Sequence, residues 1–207
     1  MDYIKKIGIE LEGLWSYAPI DAYEDSSVEF NIDDDDDSNY FIGECSFMSD
    51  DLIELKNMIK DRYPEDVNSS CGMHCHLSFQ NDIYYTLFTR KRFYDYFLSK
   101  MHSFGVRNKI NEKSAFWRRL NGQNNFCYRS FIPSEQLKTD CNNRYTQLNF
   151  CYEEHRTIEV RLLPMFKKIQ LAFLAVDELV NIFESWIDIH YDQIEQLRKP
   201  IKRRVLM

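Results

Sequence analysis

Nine consecutive residues constrain this chain more than any others: Cys71-Gly72-Met73-His74-Cys75-His76-Leu77-Ser78-Phe79. From Met73 onward they alternate strictly, with Met73, Cys75, Leu77 and Phe79 apolar and His74, His76 and Ser78 polar. Successive side chains of a strand point to opposite faces, so the run predicts a half-buried β-strand with two imidazoles and a hydroxyl on its wet side. Histidines at i and i+2 stand roughly 7 Å apart, near enough to serve one metal–phosphate cluster without sharing one ion. A single pair of this kind is a weak signal. It gains weight when other strands aim matching chemistry at the same place.

Two others do. Lys6-Ile7-Gly8-Ile9-Glu10-Leu11-Glu12-Gly13 alternates Ile7, Ile9 and Leu11 with Gly8, Glu10 and Glu12, setting two carboxylates side by side on one face. Adjacent carboxylates repel, which is acceptable on a solvated edge or around a divalent cation. Thr157-Ile158-Glu159-Val160-Arg161-Leu162-Leu163-Pro164 turns Ile158, Val160 and Leu162 inward and leaves Glu159 and Arg161 together, an arrangement that an ion pair along the strand would also explain. It forms a hairpin with residues 144–150, turning at 153–156. A further strand, Tyr40-Phe41-Ile42-Gly43-Glu44-Cys45-Ser46-Phe47, brings Glu44; the acidic run 33–37 before it reads as the tip of a hairpin, and 25–30 as a turn into a short strand.

Helices are predicted between and after these strands. One opens at a Ser49 or Asp50 cap and carries Leu52, Leu55, Met58 and Ile59 as its apolar stripe. A second spans 90–103, with Gly105 just past its end, and 114–120 is a short third. A long helix from Ile169 to about Gln196 places Leu171, Leu174, Leu179, Phe183, Trp186 and Ile189 on a stripe that would cover the sheet. Arg118, Arg119 and Arg129 are candidate phosphate clamps or plain surface charges. The pattern describes one α+β domain over residues 1–207. Its mostly antiparallel sheet has helices on one face and a polar, metal-ready groove on the other.

Composition narrows the function classes. A formal charge of −7 argues against a general nucleic-acid binder, although residues 198–204 form a locally basic tail expected to fray. With no apolar run of about 18 residues and no apolar core near the N-terminus, a soluble, cytoplasmic chain is expected, with no membrane partner. Oligomeric state is left open. The six cysteines are scattered without a CxxC pair, and Cys75 faces away from the histidines, so buried thiols are favoured over a zinc site.

These residues also carry a resemblance. Gly72-Met73-His74-Cys75-His76-Leu77-Ser78 resembles the GMHxHxS strand of glutamine synthetases, Ile9-Glu10-Leu11-Glu12 their ExE strand, and Ile158-Glu159-Val160-Arg161 their xExR strand; Asn143-Arg144-Tyr145 is similar to their NRxxxxR segment. The order and spacing look more like the compact amidoligase-like branch of the carboxylate-amine/ammonia ligase superfamily. The second arginine of the NR segment is replaced near Asn149. The resemblance implies a glutamine synthetase catalytic-domain-like fold in which Glu10, Glu12, Glu44, His74 and Glu159 hold Mg²⁺ or Mn²⁺ against ATP phosphates, with Glu29 an alternative to Glu44. By the same resemblance His76 and Ser78 touch the nucleotide phosphates, Arg161 steadies the transferring phosphoryl group, and Arg144 binds phosphate or a substrate carboxylate. The implied reaction joins a small-molecule or peptide carboxylate to an amine through an acyl phosphate. A guanidino or carboxylate kinase of the same fold, and a non-catalytic metal- or nucleotide-binding module, are the alternatives.

Overall fold

Ile7, Ile9 and Leu11 turn inward along the first strand, β1 (Ile4–Trp15), and leave Gly8, Glu10 and Glu12 on its other side, as the alternation requires. The computed structural model describes residues 1–30, 40–125, 127–128 and 145–198, with side chains as far as residue 192. Strand β1 lies between β3 (Phe41–Ser49) and β4 (Met73–Phe79). The short β2 (Ala22–Glu24) edges β3, while β6 (Thr157–Val160) and β5 (Leu148–Cys151) continue the sheet beyond β4. The order is β2-β3-β1-β4-β6-β5, and every pairing is antiparallel.

Register sets the polar residues in rows. Glu10 stands opposite Ser46 on one side and His74 on the other, and Glu12 stands opposite Glu44. One step along, Gly8, His76, Glu159 and Asn149 form a single line across β1, β4, β6 and β5. Because side-chain direction has a period of two, a one-residue slip of any strand would turn these groups into the core.

The opposite face is apolar and is packed by helices α1 (Leu52–Asp61), α2 (Tyr85–Phe88), α3 (Lys91–Arg107) and α6 (Ile169–Arg198). Phe79 of β4 meets Phe88 at 4.9 Å and Phe183 at 5.9 Å between ring centroids, and Phe93 stands 5.0 Å from Phe183. Offset and tilted rings at these distances add to the area they bury. No helix among the described residues is long and apolar enough to cross a membrane.

Several boundaries differ from the sequence reading. Asp51 caps α1, accepting from the Ile53 and Glu54 amides, while Ser49 accepts from the Asp51 amide at the strand end. Helix α3 runs through Gly105, because the rings of Phe116 and Trp117 pack where a Cβ would sit; an added methyl would lie 2.6 Å from Phe116 Cε1. A glycine that ends helices by its backbone freedom serves here for lack of a side chain. The strand expected after Asp25 instead precedes it. The turn between β5 and β6 is one helical turn, α5 (Tyr152–His155), closed by Arg156 at φ 55°. Leu174 and Ile189, expected on the buried stripe of α6, are exposed, and Ala172, Val176, Val180 and Ile187 are buried instead. The acidic run 33–37 and the tail from residue 199 lie outside the described residues.

Candidate metal centre

The rows bring carboxylates and imidazoles within ligand distance of one another at three overlapping places. Glu10, His76 and Glu159 form one group, Glu10, Glu44 and His74 a second, and Glu12, Asp25 and Glu44 a third; within each, one ligand atom per residue lies within 4.8 Å of the others. His74 Nδ1 is 3.1 Å from Glu10 Oε2, and its Nε2 is 3.6 Å from Glu12 Oε1. His76 Nε2 stands 2.9 Å from Glu10 Oε1, an ion-pair contact outside the angular range of a hydrogen bond. Its Nδ1 is 3.3 Å from Thr157 Oγ1.

Second contacts hold these groups. The Gly72 amide donates to Glu12 Oε2, and an added Cβ at Gly72 would come 2.5 Å from His74 Nε2, so the glycine before the strand clears the space for the first imidazole. Glu44 accepts from the Tyr23 hydroxyl and, at 2.9 Å, from Ser46 Oγ. Glu159 accepts from Asn149 Nδ2 at 2.8 Å and from Arg161 Nη1 at 2.5 Å. Asn149, where the resemblance calls for an arginine, thus orients a carboxylate across the β5–β6 pair.

Charge at the centre is out of balance. Glu12, Glu44 and Glu159 are all buried, yet among the described residues only Glu159 has a Lys or Arg partner. Burial pushes the Glu44 carboxyl up, and the neighbouring Glu10 charge pushes it further, against its two hydrogen bonds. Burial acts the same way on Glu10, but the close imidazoles of His74 and His76 outweigh it and hold that carboxyl well below the usual range. At Glu159, too, burial is overcome, here by Arg161 and then His74. His76 would be depressed by burial; the Glu10 carboxylate, with Glu159 behind it, raises it instead. Five carboxylates meet two imidazoles and one guanidinium here, and added positive charge would relieve their mutual repulsion. A donor set of carboxylate oxygens with some imidazole could hold a divalent cation. No cysteine joins these groups among the described residues, and the Cys71 and Cys75 thiols are buried.

The centre opens into a groove. One cleft, of about 340 Å³, lies over Glu10, Ser46, Met48 and His76. It adjoins a second, of about 400 Å³, that passes Ser78 to Lys6, Tyr85 and Arg156. The groove therefore runs from Glu10 to Lys6 and Arg156, the last of these 3.9 Å from Asp82 on the same wall.

Glu10, Glu12, Glu44, His74, His76 and Glu159 converge as the sequence suggests, with Arg161 beside Glu159. Glu29 is exposed and outside the cluster. Ser78 lies along the groove, its Oγ 3.3 Å from the Lys6 carbonyl oxygen. Arg144 and Arg129 lie outside the described residues. Arg119 is not a phosphate clamp: it is wholly buried, and its Nη1 and Nη2 donate to the carbonyls of Arg161 and Ser70, each at 3.0 Å. The sequence reading missed Lys6, Asp25 and Arg156. Asp25 sits in a turn, accepting from the Ser27 amide, where nothing marks it as more than a turn former. Lys6 did carry a signal, since it shares the i, i+2 phase of Gly8, Glu10 and Glu12. Comparison of the chain with protein-family models, with curated proteins and with solved structures gives no match, so any kinship rests on the residues described above.

Proposed function

We infer that this chain is an ATP-dependent carboxylate–amine ligase of the amidoligase type, working at a divalent-metal centre on a glutamine synthetase-like sheet. The observation that carries this reading is the polarity of the groove. Half-buried Glu10, backed by the buried Glu12, Glu44 and Glu159, faces one end, and Lys6, Ser78 and Arg156 line the other, with Asp82 beside Arg156. A polyphosphate complements such a path: bound Mg²⁺ or Mn²⁺ would neutralise its oxygens at the acidic end, and side-chain cations would meet it further out. Glu10, Glu12, Asp25, Glu44, His74, His76 and Glu159 are the residues that would hold the metal. Arg161 would offset charge on a transferring phosphoryl group, which needs alignment and charge neutralisation more than a protein nucleophile. A carboxylate activated in this way as an acyl phosphate would then be open to an amine.

The test is calorimetric ATP binding with Mg²⁺, Mn²⁺ or chelator, on wild type beside Glu10→Gln and Glu159→Gln, followed by ADP release with pooled amino acids and amines. Binding that needs metal and is lost in both variants, with amine-dependent ADP release, supports the ligase. ADP release indifferent to amines would point to a phosphotransferase. Wild type that binds no nucleotide with either metal would overturn the reading.

A further inference from the structure

We propose that a second cleft, separate from the metal centre, binds a small organic carboxylate with an apolar body. The cleft has a volume of about 570 Å³ and lies between residues 66–69, the helix α4 (Ala115–Leu120) and the chain that follows β6. None of its lining residues belongs to the metal groups or to the groove beside them. The inference is thus independent of the ligase reading.

Three features define what would fit. The floor is apolar: Phe116, Met165 and Phe166 are buried there, while Ile110 and Leu171 flank the opening only partly covered. This volume is within the range that holds small molecules, and apolar walls favour an aromatic or aliphatic body. The rim is cationic. Arg118 and Lys167 are exposed and, among the described residues, neither takes part in an ion pair. One anion, Asp66, also lies in the lining, exposed and with Oδ1 engaged by the Val67 amide at 2.8 Å, so the rim carries two cations against one. Lastly, Ser114 Oγ is buried in the wall with no hydrogen-bond partner among the described residues. A buried hydroxyl without a partner is costly, and a small rotation about its Cβ would let it donate to a bound oxygen. A neutral apolar guest would leave the two cations and the hydroxyl unmatched, and a compact polyanion would leave the apolar floor wet. A single carboxylate on an apolar body satisfies all three.

The experiment is isothermal titration of the full chain with 4-phenylbutyrate and with 4-phenyl-1-butanol. Variants are the double charge reversal Arg118→Glu with Lys167→Glu, the blocking variant Ala115→Trp, and Glu10→Gln as a control at the metal centre. We expect saturable one-to-one binding of the carboxylate and weaker binding of the alcohol. Charge reversal should weaken the carboxylate roughly fivefold to tenfold, since each partly solvated ion pair adds a fraction of a kcal/mol to about 1 kcal/mol. Ala115→Trp should abolish binding and Glu10→Gln should leave it unchanged. Because both reversed residues are exposed, the unfolding midpoint should hold, which separates lost binding from lost fold. Equal affinity for acid and alcohol, indifference to charge reversal, loss in Glu10→Gln, or no saturable heat in wild type would each overturn the proposal.

Discussion

Replacing Glu44 by glutamine should stabilise the metal-free protein and weaken its response to divalent cations. Carboxylate oxygens of Glu10 and Glu44 lie within 4.8 Å of each other. At an effective dielectric of about 20 that separation corresponds to a repulsion of about 3.5 kcal/mol. Glu44 relieves part of this by holding a proton more readily than an ordinary carboxylate, so we expect the variant to gain about 1–2 kcal/mol without metal. For a chain of this length that is a rise of roughly 2–8 °C in the unfolding midpoint. The amide oxygen of glutamine can still accept from Tyr23 and Ser46, so the swap removes charge and little else. Metal should reverse the order. A cation held at a hundred times its dissociation constant stabilises wild type by about 2.7 kcal/mol, and a variant lacking one carboxylate of the centre gains less. The assay is thermal unfolding by circular dichroism, in chelator and across a Mn²⁺ titration. A variant that melts below wild type in chelator would refute the argument, showing that Glu44 matters as a hydrogen-bond acceptor and not as a crowded anion.

Other perturbations follow from the same geometry. Gly72→Ala places a methyl 2.5 Å from His74 Nε2, so it should cost about 1–3 kcal/mol in urea unfolding and abolish the Mn²⁺-dependent shift in midpoint. Arg119→Met leaves the carbonyls of Ser70 and Arg161 without donors and should lower stability by about 2–4 kcal/mol; a loss within experimental error would remove Arg119 from its structural role. In chelator His76, whose folded value is raised, contributes stability that is fully present below its ordinary value of 6.5 and is lost as pH climbs through the raised one. Wild type should therefore exceed His76→Gln in stability by more at about pH 6 than at about pH 9, and a gap that widens with pH would contradict this. Phe183→Ala opens the aromatic cluster beneath β4 and should destabilise by about 3–5 kcal/mol, measured by denaturant midpoint.

The strands were legible because each of the central ones has one wet face, and that halves its pattern into a period of two. Glu10 with Glu12, His74 with His76, and Glu159 with Arg161 could be placed on one side of a sheet before any register was known. What alternation does not encode is which strands are neighbours, so the match of Glu12 with Glu44, and of Glu159 with Asn149, emerged only from pairing. Gly105 was misread because a glycine near a helix end carries the same letter whether it closes the helix or admits a ring. Arg119 was misread for a related reason. A cation that anchors two carbonyls and one that meets phosphate differ in surroundings, not in sequence.

The three ligand groups also differ in how much chain must be in place before each can exist. Glu12, Asp25 and Glu44 all come from the stretch that ends with β3, and Glu10 needs only His74 from β4 to complete the next group with Glu44. The remaining group waits for Glu159, which reaches its row only after β6 pairs with β4. Contacts so distant in sequence are slow to form, because the intervening chain must be closed into a loop first. During synthesis from the N-terminus the all-carboxylate group is therefore complete first, the imidazoles join with β4, and β6 closes the centre last. A cation present from the start would meet the acidic side early and could draw the later strands into register around it.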